Sequence, residues 1–180
     1  MPKIHEFADV QTTNIGVDTQ IWQFAIVLKN AVIGSNCNIN CHTFIENDVI
    51  IGNNVTVKCG VYLWDGIRVG DNVFIGPNVT FTNDKYPRSK VFPQQFQSTN
   101  IESFVSIGAG AIILGGLNIG QYSLIGAGTV VTKDVPKNSL IVGNPGRIVA
   151  YLDEKGEKLV WDGDAYISLE GKKYFYEKIN

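Results

Sequence analysis

The chain is poor in the residues that would support several common readings. Its 180 residues include only two His, three Cys and one Met, and no apolar run approaches 18 residues. Without such a run no segment is long enough to cross a bilayer as a helix. The opening MPKIHEFADV lacks the apolar stretch of a secretory signal, so a cytoplasmic location is expected. Neither charge is in excess. Fifteen Lys and Arg stand against 17 Asp and Glu, a net charge of -2, which leaves no surplus of cations for a nucleic-acid backbone. Two His exclude a zinc centre built from three histidines. Cys37, Cys41 and Cys59 form no CxxC pair and are read as reduced thiols. One Met beside 19 Gly points to turns rather than long helices.

What is present is a six-residue repeat. Stepping by six from Ile15 gives Ile21, Val27, Ile33, Ile39, Ile45, Ile51, Val57, Leu63, Val69, Ile75 and Phe81, all apolar. The register breaks at residues 83–100 and resumes two places out of phase at Ile101, Ile107, Ile113, Ile119, Ile125 and Val131. Helices need apolar spacings of three and four, which this pattern does not give. A second period lies over the first, because Gly16, Gly34, Gly52 and Gly70 are 18 apart, as are Asp18, Asn36, Asn54 and Asn72. Three units therefore make one coil, with Gly, Asn and Asp at corners that need a left-handed backbone. The fold predicted is all-β, a parallel β-helix of about six coils with rungs roughly 4.8 Å apart. Residues 1–150 are assigned to the helix with one protruding loop, 83–100. Residues 151–180 lose the hexad and alternate in EKLVWDG and KKYFYEKI, which suggests a β-hairpin extension shielding the last coil.

Residues 18 apart stack in neighbouring coils, so Glu46, Trp64, Asp65, Asn83 and Asp84 fall in one corner column with Asn47 and Asp48 beside it. Acids stacked in a column repel unless a cation offsets them. Ordinary corner residues remain the plainer reading for Asn47 and Asp48. Asn83 suits holding a hydroxyl or amine, and Asp84 suits attraction or deprotonation of an amine. His42 is the rival base, or else a solvated corner histidine. Trp64 either stacks on a flat ligand ring or covers the core, while Tyr86 offers a second ring and Arg88 paired donors for an anion. Phe92, Pro93 and Phe96 are expected to fold the loop against a prism.

The [Ile/Val]-Gly-x-x-x-x repeat over residues 15–150 resembles the hexapeptide-repeat acyltransferases. Crossovers are right-handed in about 98% of cases, but the resemblance implies a left-handed β-helix. The segments LWDG and GPNVTFTNDKYPRSK resemble acetyltransferases acting on dTDP-3-amino-3,6-dideoxyhexoses. That implies a homotrimer with active sites between subunits, acetyl-CoA as co-substrate and a dTDP-amino sugar as acceptor, for surface glycan synthesis. By the same resemblance Ala109 and Ala127 line the pantetheine arm, Lys133 and Arg147 meet the CoA phosphates, and the Gly143–Arg147 turn with Asn144 and Pro145 borders the nucleotide. Some relatives end in a zinc ribbon, but residues 156–176 hold no Cys, so no metal is expected. The alternative is another hexapeptide acyltransferase acting on a 4-amino nucleotide sugar or a sugar hydroxyl, for which His42 would be indispensable. An ice-binding β-helix would show flat rows of Thr and no loop, and neither pattern occurs.

Overall fold

Each hexad folds as a two-residue strand and a tight turn, and three such units close one triangular coil. The computed structural model describes residues 1–91 and 93–179, and Phe92, one of the three loop residues named above, lies outside them. The first face stacks Lys3–Ile4, Gln20–Ile21, Asn38–Ile39, Thr56–Val57, Phe74–Ile75, Ser106–Ile107, Leu124–Ile125 and Ser139–Val142 as parallel strands. The second face stacks Asp9–Val10, Ile26–Val27, Phe44–Ile45, Tyr62–Leu63, Thr80–Phe81, Ile112–Ile113 and Val130–Val131. The third carries Val32–Ile33, Ile50–Ile51, Ile67–Val69, Thr99–Ile101 and Asn118–Ile119, extended by bridges Ile15–Ile33 and Ile119–Val135. The hexad anchors from Ile21 to Val131 are all buried inside this prism, and each fully buried Ile contributes about 1.5–3 kcal/mol.

The chain builds more coils than the six expected, since the first face alone has eight parallel strands. The added rungs lie at both ends, where the step is irregular: Lys3 pairs with Gln20, and Leu124 with Leu140. Glycine also acts differently from the corner role expected of it at Gly34 and its equivalents. The left-handed positions are Asp18, Asn36, Asn54 and Asn72, whose φ lies between 56 and 59. Gly34 is needed for close approach instead, because a Cβ there would meet the Gly52 carbonyl oxygen at 2.4 Å.

The break in the hexad is an insertion between the second and third faces. Ile67 pairs with Thr99, a step of 32 where other coils take 18, so the loop adds 14 residues. Its root is cinched where the Gln97 N–H donates to the Asn83 carbonyl at 3.4 Å and the Ser98 hydroxyl donates to the Gly66 carbonyl at 2.8 Å. At the far end Arg147–Tyr151 folds back antiparallel on Ser139–Val142, and Val160–Trp161, Tyr166–Ile167 and Lys173–Tyr174 form a small antiparallel sheet. Tyr151, Leu159, Tyr166 and Tyr174 give that sheet its own buried cluster. Among the described residues no helix is long and apolar enough to cross a membrane.

Candidate active site

Two corner columns border the second face, and they carry most of the residues singled out in the sequence. The column between the first and second faces runs Phe24, His42, Gly60, Asn78, Gly110 and Gly128, all with positive φ. Its rungs are joined through the backbone, as where the Gly110 N–H donates to the Pro77 carbonyl and the Gly128 N–H to the Ala109 carbonyl, each at 2.9 Å. Ala109 and Ala127 are exposed one residue before those glycines. The column between the second and third faces holds Glu46, Trp64, Asp65, Asn83 and Asp84, the stacking read from the 18-residue period.

A groove of about 370 Å³ lies across the second face between these columns, lined by Phe24, Ile26, His42, Thr43, Phe44, Tyr62 and Trp64. His42 and Trp64 thus share one groove of a single chain, although they belong to different columns. Five of the seven lining side chains carry aromatic rings, with Ile26 and Thr43 between them. Phe24 stacks on His42 at 5.2 Å between centroids, Phe44 lies 5.7 Å from Trp64, and Tyr62 lies 5.9 Å from Trp64. Half-buried Trp64 packs on the core, and its Nε1–H donates to the Phe81 carbonyl at 2.8 Å, which fixes the ring plane.

The stacked acids are compensated by their own chain, so the cation invoked to offset them need not come from outside. The Asp65 N–H donates to Glu46 Oε2 at 2.7 Å, and the Asp48 N–H donates to Asp65 Oδ1 at 2.7 Å. Asp48 Oδ1 meets Arg68 Nη2 at 2.6 Å. Arg68 carries no signal in the hexad, because it is an outward residue on the third face.

A second cleft, of about 290 Å³, opens at the loop root between Thr82, Asp84, Lys85, Gln97, Leu114, Gly115, Gly116, Leu117 and Thr132. Half-buried Asp84 faces it while its Oδ1 accepts the Tyr86 N–H at 2.9 Å. Asn83 is half-buried at the same root. Tyr86, 75% exposed, and Arg88 stand on the outer part of the loop and line neither cleft. Phe96 folds back toward Asp48, Asp65 and Arg68 on the other side of the root, whereas Pro93 is exposed. A third cleft, of about 320 Å³, brings Lys133 and Arg147 together with Thr132, Asp134, Pro136 and Gly146. Two cations there suit an anionic group. Asn144 and Pro145 form the exposed turn before Arg147.

The sequence reading missed Phe24, Phe44, Tyr62 and Gln97. For Phe44 and Tyr62 a signal exists, since with Ile26 they are outward residues 18 apart on one face, and Phe24 stands 18 residues before His42 at the corner. Gln97 had none, since it reaches Gly115 and Gly116 only through the closure of the loop. Among the described residues no three His, Cys, Asp or Glu side chains gather as a metal site would require.

Comparison with known proteins matches this architecture. The bacterial transferase hexapeptide (six repeats) family matches residues 48–83. The chain is 51% identical to the dTDP-3-amino-3,6-dideoxy-alpha-D-galactopyranose 3-N-acetyltransferase of Aneurinibacillus thermoaerophilus, over 96% of this chain and 90% of that one. PerB from Caulobacter crescentus, solved with CoA and GDP-perosamine, superposes with a TM-score of 0.63 at 22% identity. That likeness covers 74% of this chain but only 56% of PerB. A point mutant of the N-acyltransferase AntD from Bacillus cereus, solved with dTDP and coenzyme A, gives a TM-score of 0.55 at 20% identity, over 86% of this chain and 84% of that one. The two structures share the fold, and the identity across nearly all of both sequences goes further: the chain belongs to the hexapeptide-repeat acyltransferases, the left-handed β-helix family that includes this sugar 3-N-acetyltransferase.

Proposed function

We propose that the protein transfers the acetyl group of acetyl-CoA to the 3-amino group of a dTDP-3-amino-3,6-dideoxyhexose, supplying an acetamido sugar for a surface glycan. The observation that carries this reading is the 51% identity to an enzyme named for that activity, sustained over 96% of this chain. The chemistry is undemanding of the protein. A sugar amine titrates near an α-amino group, about 7.7–8, so a sizeable fraction is neutral near pH 7. The neutral amine attacks the thioester carbon, the intermediate collapses to an amide, and the CoA thiolate leaves and is protonated. Positioning and a weak base are enough.

In this scheme Asn83 holds the sugar and Asp84 receives the amine at the loop root, where half-burial and the Gln97 pairing keep the backbone still. His42 stands at the groove edge as the second candidate for the proton. Trp64 offers a flat wall whose plane the Phe81 carbonyl fixes. Glu46 and Asp65 shape the corner through their backbone partners. Tyr86 and Arg88, projecting from the loop, reach the nucleotide of a neighbouring chain in a homotrimer with active sites between subunits. Lys133 and Arg147 take the CoA phosphates with Asn144 and Pro145 alongside, while Ala109 and Ala127 let the pantetheine arm approach the corner backbone. Residues 1–150 carry the reaction, residues 151–180 cap the last coil, and the enzyme works in the cytoplasm, where acetyl-CoA is available.

The test is release of CoA thiol with acetyl-CoA and a panel of dTDP-3-amino, dTDP-4-amino and UDP-amino sugars. Turnover confined to the dTDP-3-amino sugar is expected; turnover only with the other members would discard the proposed substrate. Sedimentation at micromolar concentration should give a trimer, and a stable monomer would remove the between-subunit site.

A further inference from the structure

Cys41 and Cys59 are stacked in the third and fourth coils at the corner between the first and second faces. The ladder Asn38–Thr56 and Ile39–Val57 holds them in register, and their Sγ atoms lie 3.4 Å apart. Rungs spaced roughly 4.8 Å put the two Cα atoms within the 4.4–6.8 Å range of a disulfide. The sulfurs need to close by only roughly 1.4 Å to reach bonding distance. Both side chains are half-buried, so a small reagent can reach them, and both sit in turns rather than in strands. Cys37 is the contrast within the same molecule. It is buried in the core, its S–H donates to the Gly52 carbonyl at 3.1 Å, and burial pushes its thiol pKa up.

We infer that Cys41 and Cys59 form an oxidisable dithiol, which a low-molecular-weight disulfide converts into an intrachain bridge between adjacent coils. One thiolate attacks the disulfide, forming a mixed disulfide and expelling one thiolate of the reagent. The second cysteine, deprotonated, attacks the protein sulfur of that adduct and expels the other. With oxidised glutathione the balance is two protein thiols and one glutathione disulfide giving one protein disulfide and two glutathione molecules. Sharing of a proton with Cys59, together with partial burial, raises the Cys41 thiol above its ordinary range. Exchange therefore quickens as pH rises. The bridge lies one residue from His42, at the edge of the aromatic groove.

The experiment treats the folded full-length chain with oxidised glutathione, removes the reagent, denatures the chain in guanidinium chloride with iodoacetamide to alkylate every remaining thiol, and measures intact mass and tryptic peptides. The expected product carries one alkyl group, on Cys37, and no glutathione, with the peptide spanning 30–58 joined to that spanning 59–68. Dithiothreitol restores three alkylatable thiols. In Cys41→Ser and in Cys59→Ser the bridge is lost and the remaining corner cysteine keeps a glutathione adduct. Retention of the 30–58 to 59–68 link in Cys41→Ser would assign it to Cys37 and overturn the inference. So would wild-type protein that keeps three alkylatable thiols, that holds glutathione on each corner cysteine without a link, or that is linked only between chains.

Discussion

The first and second faces of the prism have the same interior and the same ladder of hydrogen bonds, yet their outer surfaces diverge. Inward, Ile21, Ile39 and Val57 on the first face match Val27, Ile45 and Leu63 on the second, and all are buried. Outward, Gln20, Asn38 and Thr56 succeed one another on the first face, against Ile26, Phe44 and Tyr62 on the second. Folding explains the inward residues but is indifferent to the outward ones, which water can reach on either face. A contiguous apolar ladder facing water therefore marks a surface meant to be covered. At the corner beside it Phe24 and His42 hold left-handed φ values of 60 and 56, where later coils of that column have Gly60, Asn78, Gly110 and Gly128. Phe104 and Tyr122 do the same at the corner between the third and first faces, with φ of 63 and 60, so it is the apolar ladder and not the backbone that sets the second face apart.

Substitutions can break this contrast. The largest effect is expected beside the second face, where Asp84→Asn should lower kcat/KM about 10²–10⁴-fold while keeping the acceptor for the Tyr86 N–H. A loss under roughly tenfold, with His42→Ala suffering the larger one, would move the proton acceptor into the groove. Inside the prism the faces should be equivalent: Ile39→Ala and Ile45→Ala should each cost about 2–5 kcal/mol in urea unfolding, since both side chains are fully buried. A large disparity would show that the interior is not shared evenly. Tyr62→Ala should raise KM for the nucleotide sugar about 2- to 10-fold with little change in kcat, as expected for a lost aromatic contact. The matching first-face change, Thr56→Ala, should leave both constants unaltered, and an equal effect would erase the distinction between the faces.

The smallest effect belongs to the terminal sheet. Lys172 and Tyr174, both hydrogen-bonded to the Glu154 carboxylate, hold its pKa down to about 2. A lowered carboxylate pKa stabilises the folded state above the ordinary range, and that contribution fades as pH falls from about 4.5 toward 2. The side chain is 39% exposed, so solvent screening limits the effect to about 1 kcal/mol or less. Glu154→Gln should remove that pH dependence, read from the fluorescence of Trp161 during acid titration in a Trp22→Phe, Trp64→Phe background.

Much of this was legible in advance, for specific reasons. The hexad named every strand from Gln20 to Val131 because burial in a narrow prism admits one large apolar residue per unit. It failed at the ends. Counting back in sixes from Ile15 lands on Asp9, whereas Val10 is the residue packed on the core. Counting forward from Val131 lands on Lys137, whereas Ile141 is the next buried anchor. In the candidate site, the 18-residue period placed Glu46 near Asp65 and Trp64 below the loop root. The capture of Asp48 by Arg68 was not legible, since it depends on side-chain reach across a corner rather than on the repeat.

The sequence alone determined the periodic part of this protein: which residues face inward, how many make a coil, and where the coil is interrupted. Those follow from local geometry and the exclusion of water, and each hexad states them afresh. The tertiary structure decided which distant residues meet at the surface. Stacking sets His42 and Trp64 across one face, and the 14-residue insertion lets the Gly110 N–H meet the carbonyl of Pro77. Such meetings depend on the summed rise and register of whole coils, a quantity that no single repeat contains.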